Sequence, residues 1–129
     1  MSFSSKTTDQ ITIDGEVLSQ TNSFTSSAVV KVTETVADGQ TDQTIGAVTI
    51  DVSEIDTLYI NSDQDVSFQT NNGGAPDDTI ALLANRPLTW NAQSYYTNLL
   101  TTDVTEVFIT NASGSTATVD IRVAYDATP

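Results

Sequence analysis

TEVFITNASGSTATVDIRVAY, residues 105–125, is the stretch on which the fold turns. It is two apolar-alternating runs joined by a short polar turn. In the second run Ala117, Val119, Ile121, Val123 and Tyr125 fall on one side, and Thr116, Thr118, Asp120, Arg122 and Ala124 on the other. Side chains on a strand point to opposite faces with period two, so this run is a half-buried strand with one wet face. Asn111, Ser113 and Gly114 tolerate turn or left-handed geometry, and they are expected to close a hairpin.

The stretch has an earlier echo. Ser53-Glu54-Ile55-Asp56-Thr57-Leu58-Tyr59-Ile60-Asn61-Ser62 matches Thr102-Asp103-Val104-Thr105-Glu106-Val107-Phe108-Ile109-Thr110-Asn111 position by position. Both read hydroxyl, acid, β-branched, two polar positions, aliphatic, aromatic, Ile, polar, turn residue. Each copy leads through a polar turn into another alternating run, Val66-Ser67-Phe68-Gln69 in the first case. Two hairpins of matching chemistry imply equivalent sheet corners, one in each half of a sandwich.

Working outward, residues 1–10 are polar and lack periodicity, which suits either a frayed terminus or an arm ordering on a neighbouring subunit with Phe3 as its anchor. Ile11-Thr12-Ile13 runs into Asp14-Gly15, a good hairpin dipeptide, and Glu16-Val17-Leu18 leaves it. Residues 21–27 read as a loop, with Phe24 plugging the core. Residues 28–36 form a strand, and residues 44–52 another, with Val48, Ile50 and Val52 on one face and Gly46 marking a bulge. Residues 71–78 are the most loop-like segment. Residues 79–84 suit a short helix or a buried strand, and their brevity favours the strand. Leu88-Thr89-Trp90 alternates again, and residues 94–101 have room for one helical turn. Eight to ten short strands at close spacing describe an all-β, single-domain antiparallel β-sandwich, jelly-roll-like, with little or no helix. The expected organisation is a polar arm over 1–10 and a sandwich over 11–129.

Composition narrows the chemistry. At 129 residues the chain is long enough for one domain with a real core. It contains neither Cys nor His, which removes disulfides, thiolate metal sites, the commonest zinc ligand and the commonest general base. Serine–histidine and cysteine–histidine catalysis are excluded. Seventeen acids against four bases give a net charge of −13, which disfavours nucleic-acid backbones and anionic membranes as partners. The first residues lack the apolar core of a secretory leader, and no run approaches the roughly 20 apolar residues of a membrane span. Synthesis and assembly in a cytoplasm are therefore expected.

Three groups could carry a site. The acids Asp51, Glu54 and Asp56, Asp63 and Asp65, and Asp77 and Asp78 are of the type that holds calcium, but no loop has EF-hand length. Solvated turn acids are the favoured reading, no metal or cofactor is expected, and paired carboxylates lack the aromatic cleft a glycosidase needs. Trp90, Tyr95 and Tyr96, near Arg86, fit either a carbohydrate platform or a protein contact. Trp90 is expected in the core, and the two tyrosines stay open as interface residues. Asn111-Ala112-Ser113 fits a glycosylation sequon and is read as a turn.

From about residue 55 onward the chain resembles small virion structural proteins of tailed bacteriophages. The likeness rests on Asp56-Thr57-Leu58-Tyr59-Ile60 with its polar turn, on Arg86-Pro87-Leu88-Thr89-Trp90, and on residues 102–111 running through the terminal strand to Asp126. Capsid decoration (cement) proteins look like this: short, poor in His and Cys, rich in Thr, all-β. The resemblance implies a non-enzymatic protein on the capsid surface of a virion, binding the major capsid protein lattice and stabilising the head, often as a symmetric trimer. Phe3, Arg86, Tyr95 and Tyr96 are the expected interface residues. A head-fibre, neck or tail accessory protein is the alternative from the same source, and a carbohydrate-binding adhesion module the alternative from another.

Overall fold

A computed structural model describes residues 2–46 and 48–127. Met1, Ala47, Thr128 and Pro129, which fall within the expected arm, the expected 44–52 strand and the expected sandwich range, lie outside the described residues. The chain is all-β. Its strands are β1 (Phe3–Ile13), β2 (Glu16–Ser26), β3 (Ala28–Val36), β4 (Gln43–Ile45), β5 (Ile55–Ser62), β6 (Val66–Thr70), β7 (Thr79–Leu82), β8 (Leu88–Asn91), β9 (Val107–Thr110) and β10 (Ala117–Tyr125). The helical content among the described residues is one 3-10 turn, Val52–Glu54.

β3 to β10 form two four-stranded antiparallel sheets, ordered β3-β10-β5-β8 and β4-β9-β6-β7. Successive strands switch between the sheets except at β6 and β7, which is the strand order of an eight-stranded jelly roll. One continuous core lies between the sheets. Leu58, Ile60, Val119, Ile121 and Val123 face it from the first sheet, and Ile45, Phe68, Val107 and Ile109 from the second. The wet faces carry Thr, Ser and charged residues, for which β-branching and a hydroxyl are suited.

The terminal stretch alternates as its sequence dictates, but β9 and β10 do not form a hairpin. β9 pairs with β4 and β6, while β10 pairs with β3 and β5 in the opposite sheet. Asn111 stands at the crossing. Its side chain is fully buried, donating from Nδ2 to Val36 O and Ser115 O, both at 2.8 Å, and accepting the Ser113 N–H at 3.0 Å. A side chain satisfied this way holds the chain as it crosses the core edge, where a tight turn would return it to the same sheet. The matching position of the repeat is buried too, with bonds that stay local. Ser62 is fully buried between β5 and β6, donating to Gln64 O at 2.7 Å and accepting the Gln64 N–H at 3.2 Å. Burial matches along both copies: Ile55 with Val104, Leu58 with Val107, Ile60 with Ile109 and Ser62 with Asn111 are all buried. The repeat thus builds two equivalent corners, one leaving each sheet.

Other expectations shift. Of the described residues in the expected 44–52 strand, Thr44 and Ile45 alone are in a ladder, as the end of β4. Val48 and Ile50 still fill the core, but from an irregular segment held by an isolated bridge between Ile50 and Val104. Apolar alternation there marks which side chains face inward and not a paired backbone. Gly46 follows β4 directly and marks no bulge. Residues 94–101 form bends and irregular backbone without a helical turn, and β7 alternates between exposed and buried residues, so it is half-buried. β3 is an edge strand nine residues long, and it turns Glu34 toward the inner face alongside Val32 and Val36.

The largest departure is at the start. Residues 3–26 form one long hairpin, β1 paired with β2 from Phe3↔Ser26 to Ile13↔Glu16. Its turn is Asp14-Gly15, with φ of 51° and 80°, the geometry that matches the twist of a two-residue hairpin. Phe24 therefore sits half-buried in β2 and outside the core cluster. The polar composition of residues 1–10 hid a strand whose hydroxyl side chains contact the body or water.

Candidate interaction surfaces

The hairpin lies with its root against the outer face of the first sheet. Ser5 and Thr57 share a hydrogen bond of 2.8 Å between their hydroxyls, and Asn91 Nδ2 donates to Thr7 Oγ1 at 2.8 Å. Ser26 Oγ donates to Asp56 Oδ2. From Thr8 to Thr21 every residue is exposed, so the ribbon leaves the body beyond that root.

Beside the root the loop after β8 forms an aromatic ledge. Asn91 fixes its start: the Asn91 N–H donates to Ser94 Oγ at 2.9 Å, and Asn91 Oδ1 accepts the Gln93 N–H at 2.8 Å. Trp90 packs half-buried against the core and donates from Nε1 to Tyr96 O at 2.8 Å. It is a rim residue that ties the loop down, and not the centre of the core. Tyr95 and Tyr96 project into solvent, 95% and 79% exposed, their rings edge-to-face at 5.4 Å. Leu99 is exposed on the same loop, and buried Leu100 anchors its far end. Between hairpin and ledge lies a cleft of about 340 Å³, with Asp9, Thr89, Asn91, Tyr95 and Tyr96 on its walls.

Of the four expected interface residues, Tyr95 and Tyr96 come together here. Arg86 is exposed at the opposite end of β8, in a turn closed by its N–H to Leu83 O, and does not line the cleft. Phe3 is half-buried at the hairpin root, lining a separate groove of about 220 Å³ with Val29, Lys31, Tyr59, Arg122 and Ala124. Sequence reasoning missed that groove, because its residues come from four strands and meet only through their register.

The acids hold loops. Asp63 accepts the Thr118 N–H at 2.7 Å and Asp65 the Ala84 N–H at 2.8 Å. Asp78 binds the Thr101 N–H and hydroxyl, and Asp77 accepts from Asn71 Nδ2 at 2.6 Å. Asp51 caps the 3-10 turn. The Ser53 hydroxyl at 2.6 Å, then the Ser53 N–H at 3.0 Å, hold its carboxyl below the ordinary carboxylate value. Among the described residues no three acids gather as a metal site, and no helix is long and apolar enough to cross a membrane.

The fold and these surfaces define an all-β jelly-roll protein with a β-hairpin arm and an aromatic ledge. Comparison with protein-family models, curated proteins and solved structures finds no match for the chain.

Proposed function

We propose that this chain is a non-enzymatic structural protein of a tailed-bacteriophage virion, a decoration protein that binds the outside of the major capsid protein lattice. The observation that carries the reading is the ledge of Tyr95, Tyr96 and Leu99, large side chains in water on a loop tied at both ends. Tyrosine supplies apolar area and a hydrogen bond together and is enriched at protein contacts. A rigid jelly roll presents that ledge with little ordering cost on binding. The resemblance of residues 55–126 to virion proteins supplies the partner. Binding the assembled lattice alone would stabilise it by mass action, with many weak copies adding along the shell. The net charge of −13 suits an outer surface away from packaged DNA and would meet basic patches on a capsid.

Heads stripped of this protein provide the test. Saturable rebinding that raises the rupture temperature of the heads, and is lost with Tyr95→Ser and Tyr96→Ser together, is expected. Undiminished occupancy by that double variant overturns the ledge as the contact. A handful of copies per particle, in place of a lattice-filling number, would make the chain a head-fibre, neck or tail accessory protein.

The cleft favours a second reading, a carbohydrate-binding module. Two tyrosines beside Asp9, Asn91 and Thr89 combine ring faces for stacking with acceptors and donors for sugar hydroxyls. Glycan-array signals that vanish with Tyr96→Ala and with Asp9→Asn would support it over capsid binding.

A further inference from the structure

The two faces of the hairpin differ along its length. One face carries Ser4, Lys6, Thr8, Gln10 and Thr12 on β1 and is polar but for Val17 on β2, across from Thr12 and 56% exposed. The other holds Ser5 and Thr7 against the body, then continues past it through Asp9 to Ile11 and Ile13, with Leu18 directly across from Ile11 and Glu16 across from Ile13. Ile11, Ile13 and Leu18 are 53%, 62% and 56% exposed. A ribbon serving only as a solvated projection would gain nothing from turning apolar on one side. A two-stranded hairpin is also marginal in water without a surface to lie on.

The same chain carries a surface of matching chemistry. The groove at the hairpin root is apolar at Phe3, Val29, Tyr59 and Ala124, with Lys31 and Arg122 beside them. Those are two of only four cations in the sequence, and they sit directly opposite each other, Arg122↔Lys31. Like charges placed so repel unless an anion joins them; Arg122 is held by Val32 O, Ile121 O, the Thr33 hydroxyl and Asp120 at 3.6 Å, which leaves Lys31 the freer of the two to meet an acid. The hairpin beyond its root is the reverse. Asp9, Asp14 and Glu16 flank the apolar tip, and no cation occurs between Lys6 and Lys31.

We propose that the hairpin tip of one copy docks into the groove of a second copy, Ile11, Ile13 and Leu18 entering the apolar floor and the tip acids meeting Lys31 and Arg122. The contact is intermolecular by geometry, because Ile13 lies ten residues along β1 from Phe3, roughly 33 Å of strand. Tip and groove are different patches, so the contact is head-to-tail and closes into a ring or runs on as a chain. The proposal stands apart from the capsid reading, which is scored on heads and not on the state of the free protein.

Sedimentation of the full chain tests it. The wild type should sediment as an oligomer. Ile11→Thr with Leu18→Thr should raise the dissociation constant roughly a hundredfold. Lys31→Glu with Tyr59→Asp should also give monomers, with Lys31→Glu alone as the substitute if the pair disturbs the fold. Unchanged circular dichroism and a cooperative melting transition show that each variant is folded. The first variant keeps a groove and the second keeps a tip, so their mixture should form a one-to-one dimer and nothing larger. A monomeric wild type, an oligomer indifferent to the tip variant, or a mixture that stays monomeric overturns the proposal.

Discussion

Asn111 has no exposed surface, and its amide satisfies two carbonyls and one N–H at the corner between β9 and β10. Asn111→Ala takes the amide partner from Val36 O and from the Ser113 N–H, while Ser115 O keeps the Ser113 hydroxyl; at about 1–3 kcal/mol for a buried group left unpaired, it should cost about 3 kcal/mol in urea denaturation. Ser62→Ala breaks only bonds to Gln64, two residues away, and should cost about 1 kcal/mol. The sequence marked both as turn residues, but burial decides their weight, and burial depends on which sheet the next strand joins. Asp51 is legible in a different way, since an acid two residues before Ser53 is a local cap. Its folded carboxyl lies below the ordinary value, so it adds to stability above the unfolded value. That contribution fades as pH falls through the lowered one. Ser53→Ala removes the leading cause, and an NMR titration of Asp51 should then move upward toward the ordinary range.

Strands whose pattern is local were readable one by one. The sequence places β3 at residues 28–36, and alternation in β10 follows the burial of Ala117, Val119, Ile121 and Val123. Pairing was not readable, because nothing local distinguishes a hairpin from a corner when both need a short polar connection. Residues 44–52 show the converse limit: Val48 and Ile50 alternate and are buried, yet their backbone is outside a ladder. The repeat carried the most information about tertiary structure, since its buried positions coincide in both sheets. Ile60→Val and Ile109→Val remove one methylene at matched sites about 1% exposed or less. Each should cost about 1 kcal/mol, and the two values, measured by equilibrium unfolding, should agree within about 0.5 kcal/mol. A difference of several kcal/mol would mean that the corners are alike in sequence only.

At the scale of the molecule, hairpin and sandwich divide the work. No residue of β1 or β2 belongs to the core cluster, and Ser27 is tied independently, its N–H to Asp126 and its hydroxyl to the Ala127 N–H. Deleting residues 2–26 should leave a folded sandwich, with a loss no greater than about 4 kcal/mol for the root hydrogen bonds and flanking packing. Calorimetry on the truncated chain checks this, and a collapse of the cooperative transition would contradict it. The hairpin's ledge-side cleft was out of reach of sequence reasoning, because Asp9 and Tyr96 meet only through the docking of the root. Glu34 has a last consequence. On a nine-residue edge strand it points inward among valines, and a flat, fully apolar border there would invite another chain to add a rung. A carboxylate in that place makes each added rung bury a charge, so the protein resists growing into fibrils. Glu34→Val should lift that block and let concentrated solutions turn thioflavin-positive.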